Sequence, residues 1–242
     1  MRESNHIINH LSIFESILGK RQTAQSLADK YGRPDLVQHL RRFLYNQLHN
    51  DSSSSSSSST ESTDVPLASL PDFQGKIRVH PSAVATFYAP SDLSGVGGMR
   101  REWIRAVPQW RGGPGRYDCV FTETNTLLKG MRGLDIARIQ LLLSFEYKNT
   151  PYPCALVRWY SRLDDEPDEA TGMWAVVPDY NDDGTPYEAI IHLDCILRAA
   201  HLIGAYGEDF VLPTMTLHKS LDRFESFYVN KYIDHHAFEI AF

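Results

Sequence analysis

Five arginines and three aromatic rings crowd into MRREWIRAVPQWRGGPGRY, residues 99–117. Arg100, Arg101, Arg105, Arg111 and Arg116 are interleaved with Trp103, Trp110 and Tyr117, and Gly112, Gly113 and Gly115 follow close behind. A guanidinium meets a phosphate through a planar fork of donors, and an indole stacks on any base, so the mixture suits single-stranded or irregular nucleic acid. Arg100, Arg101, Trp103, Arg105, Trp110, Arg111 and Arg116 are therefore the candidate nucleic-acid-binding residues. The plainer alternative buries the tryptophans and pairs the arginines with the acids of residues 163–189.

Other chemistries find less support. Asp179-Tyr180-Asn181-Asp182-Asp183-Gly184 matches the first half of a calcium loop, but position 12 is Ile190 and no helix precedes Asp179, so a polar turn is expected. His192, His201, His218, His235 and His236 share no metal-ligand spacing, and His-Glu-x-x-His is absent. Cys119, Cys154 and Cys195 form neither a C-x-x-C pair nor an even disulfide set; each sits in an apolar stretch and is expected to be a buried, inert thiol in a reducing compartment. There is no Gly-x-Ser-x-Gly, the DDEPDE cluster reads as a solvated loop, and Gly95-Val96-Gly97-Gly98 follows no strand and carries no Lys-Ser/Thr. No catalytic residue, metal, cofactor or small-molecule ligand is assigned.

Chain organisation must position the basic stretch. Ile7, Leu11, Phe14 and Leu18 recur at helical spacing; a second helix is expected from Thr23 as N-cap to Gly32, and a third from Pro34 through Leu48. Thr23–Leu44 resembles a helix-turn-helix only superficially, because Arg33, Gln38 and Arg41 stand where apolar residues should face inward. Residues 51–72 hold the run Ser52–Ser59 and four acids without a base, so they are expected to be a disordered linker spanning roughly 25 Å, with flanking parts that move independently.

Beyond Phe73 the period becomes two. Ala137, Ile139, Leu141, Leu143, Phe145 and Tyr147 alternate with Arg138, Gln140, Ser144 and Glu146, which predicts a half-buried strand; Lys148–Pro151 turns it into a second strand over 152–160. YDCVFTE, WAVVP and AIIHL complete about five strands, suggesting an antiparallel meander curling into a small barrel. Ile196, Leu197, Ala200 and Ile203, then Leu221, Phe224, Phe227 and Tyr228 behind Ser220, read as C-terminal helices. The expected fold is thus α+β: a helical hairpin or small bundle over 1–50, the linker 51–72, and a barrel-like domain over 73–242.

The 242 residues, 42% of them hydrophobic, can bury a core, and the net charge of −6 excludes binding to nucleic acid by overall charge alone. The charge is polarised. Residues 73–162 carry thirteen basic and six acidic groups, a net +7; residues 163–189 carry nine acids and no base. That acidic segment is either a solvated excursion or a shield for the basic half. No apolar run approaches the roughly 18 residues of a membrane span, and the N-terminus lacks a signal-peptide layout, so an intracellular chain, nuclear or cytoplasmic, is expected.

Several long strings, among them FYAPSDLSGVGGMRREWIRAVPQWRGGPGRYDCVF, GMRGLDIARIQLLLSFEY, YPCALVRWY, HLDCILRAAHLIGAYG and FYVNKYIDHHAFEIAF, resemble the C-terminal part of Plavaka-type proteins. These are transposase-like products of CACTA-related mobile elements, abundant in mushroom-forming fungi. In that family the catalytic RNase-H-like core lies N-terminal to such a segment, so the resemblance implies a non-catalytic accessory region whose partner is DNA or a transposase chain. The strand-rich part is also similar to the small accessory domain ending plant CACTA transposases, which implies a small barrel and carries over no catalytic residue. Without the resemblance, a protein–protein assembly module or a decayed fragment fits the same residues.

Overall fold

The computed structural model describes residues 10–13, 20–50, 65–90, 96–206 and 214–242. In chain order these form β1 (His10–Ile13), β2 (Gln22–Thr23), α1 (Ala24–Tyr31), α2 (Leu36–Asn50), β3 (Lys76–His80), β4 (Ser82–Tyr88), β5 (Met99–Val107), β6 (Arg116–Tyr117), β7 (Cys119–Glu123), β8 (Leu134–Tyr147), β9 (Thr150–Arg162), β10 (Ala175–Pro178), β11 (Glu188–His192), β12 (Ile196–Ala200), β13 (Leu202–Gly204), β14 (Phe227–Val229) and α3 (His235–Ile240). The fold is mixed, mostly antiparallel sheet with few helices. No helix among the described residues is long and apolar enough to cross a membrane.

The long β8–β9 hairpin is the spine. Its turn places Lys148 and Asn149 at φ 50° and 64°, the left-handed pair that matches the twist of two antiparallel strands. Near the base, β7 and β10 flank the spine; near the turn, β3 and β11 do. The expected strict alternation along β8 is corrected at Gln140, where the register slips between Ile139 and Leu141. That extra residue reverses the faces: Ala137 and Ile139 join one core with Leu142, while Leu141, Leu143 and Phe145 join another. Both faces are covered, so Arg138 and Gln140 are buried rather than solvated.

At the base the ladder runs β12-β7-β8-β9-β10-β14-β13 and curls around Phe121, Ile136, Tyr160, Trp174 and Phe227. The sheet curls as expected but does not close into a barrel. β12 and β13 end the ladder without pairing to each other, and only His201 lies between them in the chain. A second sheet, β1-β4-β5-β6, packs Ala83, Ala85, Phe87, Ile104 and Ala106 against the spine.

The helical hairpin appears where Thr23 and Gly32 place it. The Thr23 hydroxyl accepts from the Ser26 N–H, and Gly32 closes α1 at φ 62°. The first expected helix is corrected: His10–Ile13 is a strand paired to β4, and its remaining residues lie outside those described. Nor do α1 and α2 form a separate unit, because Leu27, Leu36, Leu40, Phe43 and Leu44 share one core with Leu141, Phe145, Leu156 and Ile190. Each such buried side chain contributes about 1.5–3 kcal/mol, enough to hold the hairpin on the sheet.

Residues 51–64 of the expected linker lie outside the described set, but its end is fixed. Arg41 Nη2 donates to the carbonyls of Leu67 (3.1 Å) and Leu70 (2.8 Å), and its Nε to that of Pro71 (3.0 Å), while Leu70 is buried. The expected C-terminal helices are also corrected. Residues 196–204 are strands β12 and β13; Ser220 lies inside a 3-10 turn, Leu217–Asp222, that leads to β14; and the short α3 is the helix that follows. Leu197 and Leu202 pack on the curled core alongside buried Ala200, so apolar residues fall on neighbouring positions and imitate helical spacing.

Candidate nucleic-acid interface

β5 sorts the basic stretch by parity. Ile104 and Ala106 are buried against the spine, and Arg100 and Glu102 stand on that same face. Arg101, Trp103 and Arg105 occupy the other face, with Trp103 43% exposed. Six of the seven candidates are thus gathered outside the sheet, and Arg100 is not among them. β4 pairs along β5 from Met99 to Arg105, whereas β6 joins β5 only at Ala106 and Val107.

The loop 108–115 folds Trp110 back onto that outer face. Gly113 N–H donates to the Trp110 carbonyl (2.8 Å), with Arg111 and Gly112 at φ 50° and 76°, a tight turn whose first central residue is a strained non-glycine. Around the half-buried Trp110 ring lie three guanidinium carbons: Arg105 at 4.4 Å from the centroid, Arg111 at 5.3 Å and Arg116 at 5.8 Å. Each cation–π contact contributes about 0.5–1 kcal/mol at such exposure.

One carboxylate sits among them. Asp118 accepts from Arg116 Nε (2.7 Å) and from the Arg105 backbone N–H (2.9 Å). Burial lowers the Arg105 pKa, Arg116 and Arg111 lower it further, and Asp118 opposes them. The direction records burial first and the neighbouring like charges second, although a guanidinium stays protonated at neutral pH.

A cleft of about 470 Å³ runs from this face to β12, with Glu102, Trp103, Arg116 and Asp118 on one side and Arg198 and Asp234 on the other. Sequence reading missed its floor. Arg198, buried in β12, donates to Glu102 Oε2 (3.0 Å) and to both oxygens of Asp234 (2.8 and 2.7 Å). Asp234 also caps α3 through the Ala237 N–H, and Glu102 Oε1 accepts from the Ala199 N–H. Phe87 stacks on His236 (4.6 Å between centroids) and lies 4.7 Å from the Arg198 guanidinium carbon. The signal available in sequence was a charged residue, Arg198, flanked two positions away by apolar Ile196 and Ala200.

The plainer arrangement, with both tryptophans buried, is not what forms. Glu188 pairs with Arg33 and thereby ties the acidic segment to the helical hairpin rather than to the basic stretch. Asp168 accepts from Thr171, and Asp183 from Thr185, within local turns. The Asp179–Gly184 stretch is such a turn between β10 and β11, and among the described residues no three His, Cys, Asp or Glu are placed to share a metal ion. His235 is exposed and His236 buried on successive positions of α3. Cys119 and Cys154 are buried as expected, but Cys195 is exposed, because it ends a 3-10 turn between β11 and β12.

No known protein family matches this chain, and no curated protein or solved structure does.

Proposed function

We propose that this chain is a non-catalytic accessory region of a transposon-derived protein, the C-terminal segment of a Plavaka-type transposase-like protein, and that it contacts nucleic acid through the outer face of β5 and the Trp110 loop. One observation carries the contact: Arg101, Trp103, Arg105, Trp110, Arg111 and Arg116, scattered over sixteen residues of sequence, gather on one side of one sheet. Positive charge for phosphates beside an exposed indole is the combination that binds strands without reading sequence. In this reading the curled sheet is the small barrel-like accessory domain, and it serves as scaffold. The partner is element DNA, held alone or with a transposase chain.

The test is binding of the full chain to single- and double-stranded DNA across a salt series, beside a variant with Arg101, Arg105, Arg111 and Arg116 changed to alanine. Four phosphate contacts give a log–log slope of about −3 to −4 on duplex. Binding that weakens along such a slope and is lost in the variant supports the contact; absence of binding, or a flat slope, overturns it.

Assembly with a protein partner is a second reading, favoured by a different surface. Tyr232, Ile233, Phe238 and Phe242 are each half or more exposed around α3. Self-association that persists in high salt, in the absence of DNA binding, would shift the assignment there.

A further inference from the structure

We infer that the Trp110 cluster holds the terminal phosphate of a nucleic-acid strand, a phosphomonoester, rather than the diesters along its length; the inference rests on the nucleic-acid reading above. The geometry is one of convergence. Val107 pairs with Arg116 across β5 and β6, so Arg105 and Arg116 are diagonal neighbours on one face. Trp110 folds over them and brings Arg111 with it. Three guanidinium carbons within 6 Å of one ring centre make a compact cluster of the kind a single phosphate group calls for, whereas a backbone laid along a strand would require arginines spaced out in a row.

The charge count agrees. Three guanidiniums and the single Asp118 carboxylate leave a formal +2 at the loop. A diester brings one negative charge; a terminal phosphate brings about −1.5 to −2 at neutral pH and three oxygens to accept forked donors. Arg111 is also held at φ 50°, a conformation that costs a non-glycine residue free energy and places its side chain beside Trp110. The base of the terminal nucleotide has its surface nearby: Trp103 lies on the same face, two residues before Arg105, and 43% of it is exposed.

The experiment compares one short single-stranded oligonucleotide carrying a 5′-phosphate, a 3′-phosphate or neither, bound to the full chain at fixed salt and followed by fluorescence anisotropy. A phosphorylated end is expected to bind about tenfold tighter than the bare strand at pH 7.5, with the advantage shrinking as pH falls through about 6, where the phosphate loses its second charge. Arg111→Gly removes one guanidinium at a position whose φ suits glycine, so the loop keeps its shape. In this variant the ratio of phosphorylated to bare-strand affinity should fall towards one, while the bare strand weakens by no more than the loss of one phosphate contact. Equal binding of all three strands would overturn the terminal-phosphate site and leave the nucleic-acid reading intact; no binding of any strand would overturn both. A phosphoserine peptide that outcompetes the phosphorylated strand would assign the same loop to a protein partner instead.

Discussion

Arg198 and Asp234, 36 residues apart, meet as two parallel hydrogen bonds, Nη1 to Oδ1 at 2.8 Å and Nη2 to Oδ2 at 2.7 Å. The pair fastens the cap of α3 to β12 and, through Glu102, to β5. Removing one partner of such a pair strands a charge in the interior, so Asp234→Ala should destabilise the protein by about 3 kcal/mol, at the low end for a broken buried pair because Glu102 still faces the guanidinium. Urea unfolding measures it. A loss below about 1 kcal/mol would mean that the fork is a surface contact without structural weight.

Acid should weaken the same corner in two stages. Burial and Arg198 lower the His236 pKa there, and away from that corner, in α2, burial lowers that of His39. A group with a depressed folded pKa stabilises fully above its unfolded value, near 6.5, and loses that contribution as pH falls through the folded value. Asp234, held down to about 2 chiefly by its Arg198 hydrogen bond against the opposing effect of burial, keeps its contribution until far stronger acid. Glu102 runs the other way, since burial raises its pKa and its ionisation costs stability as pH rises. Urea midpoints measured from pH 7.5 to 5 should therefore fall below pH 6.5, and His236→Gln should flatten that limb. An unchanged limb in both His236→Gln and His39→Gln would refute the assignment.

The helical hairpin and the sheet should unfold together. All four tryptophans lie between residues 103 and 174, outside the hairpin, so tryptophan fluorescence reports the strands alone. Leu40 is fully buried between α2 and the sheet, and Leu40→Ala should cost about 2–5 kcal/mol. The tryptophan-detected midpoint is expected to move by that amount. A midpoint that stays in place would show the hairpin melting independently.

Thiol chemistry distinguishes the cysteines. Burial pushes the Cys119 thiol up to about 12 and Cys154 well above its ordinary value; partial desolvation and Asp194 raise Cys195 too, but it alone is exposed to a reagent. An aromatic disulfide reagent should titrate one thiol in the native protein and all three in urea. Two or more native equivalents would contradict the burial of β7 or β9.

What could be read in advance was local. The Thr23 cap, the Gly32 stop and the Lys148-Asn149 turn each act within a few residues, and the structure uses all of them. What could not be read depends on what lies across the fold. Ile196, Leu197, Ala200 and Ile203 imitate a helix because β12 buries alternate positions but puts Arg198 at the middle buried one and partly buried Leu197 and Ala199 between, which hides the two-residue period. The slip at Gln140 redirects half of β8 and leaves no mark in composition. The basic stretch showed its chemistry at once, but not that Arg100 faces away from its neighbours, and nothing in sequence joins Glu102 to a residue 96 positions later.

His201 gives the curled sheet an unusual mechanical character. The two ends of the ladder are successive stretches of one chain, separated by that single residue, so neither end can peel away without displacing the other. A cut in the backbone here would untie the two ends from each other but leave each in its own pairing, β12 on β7 with Arg198 still gripping Glu102 and Asp234, and β13 on β14.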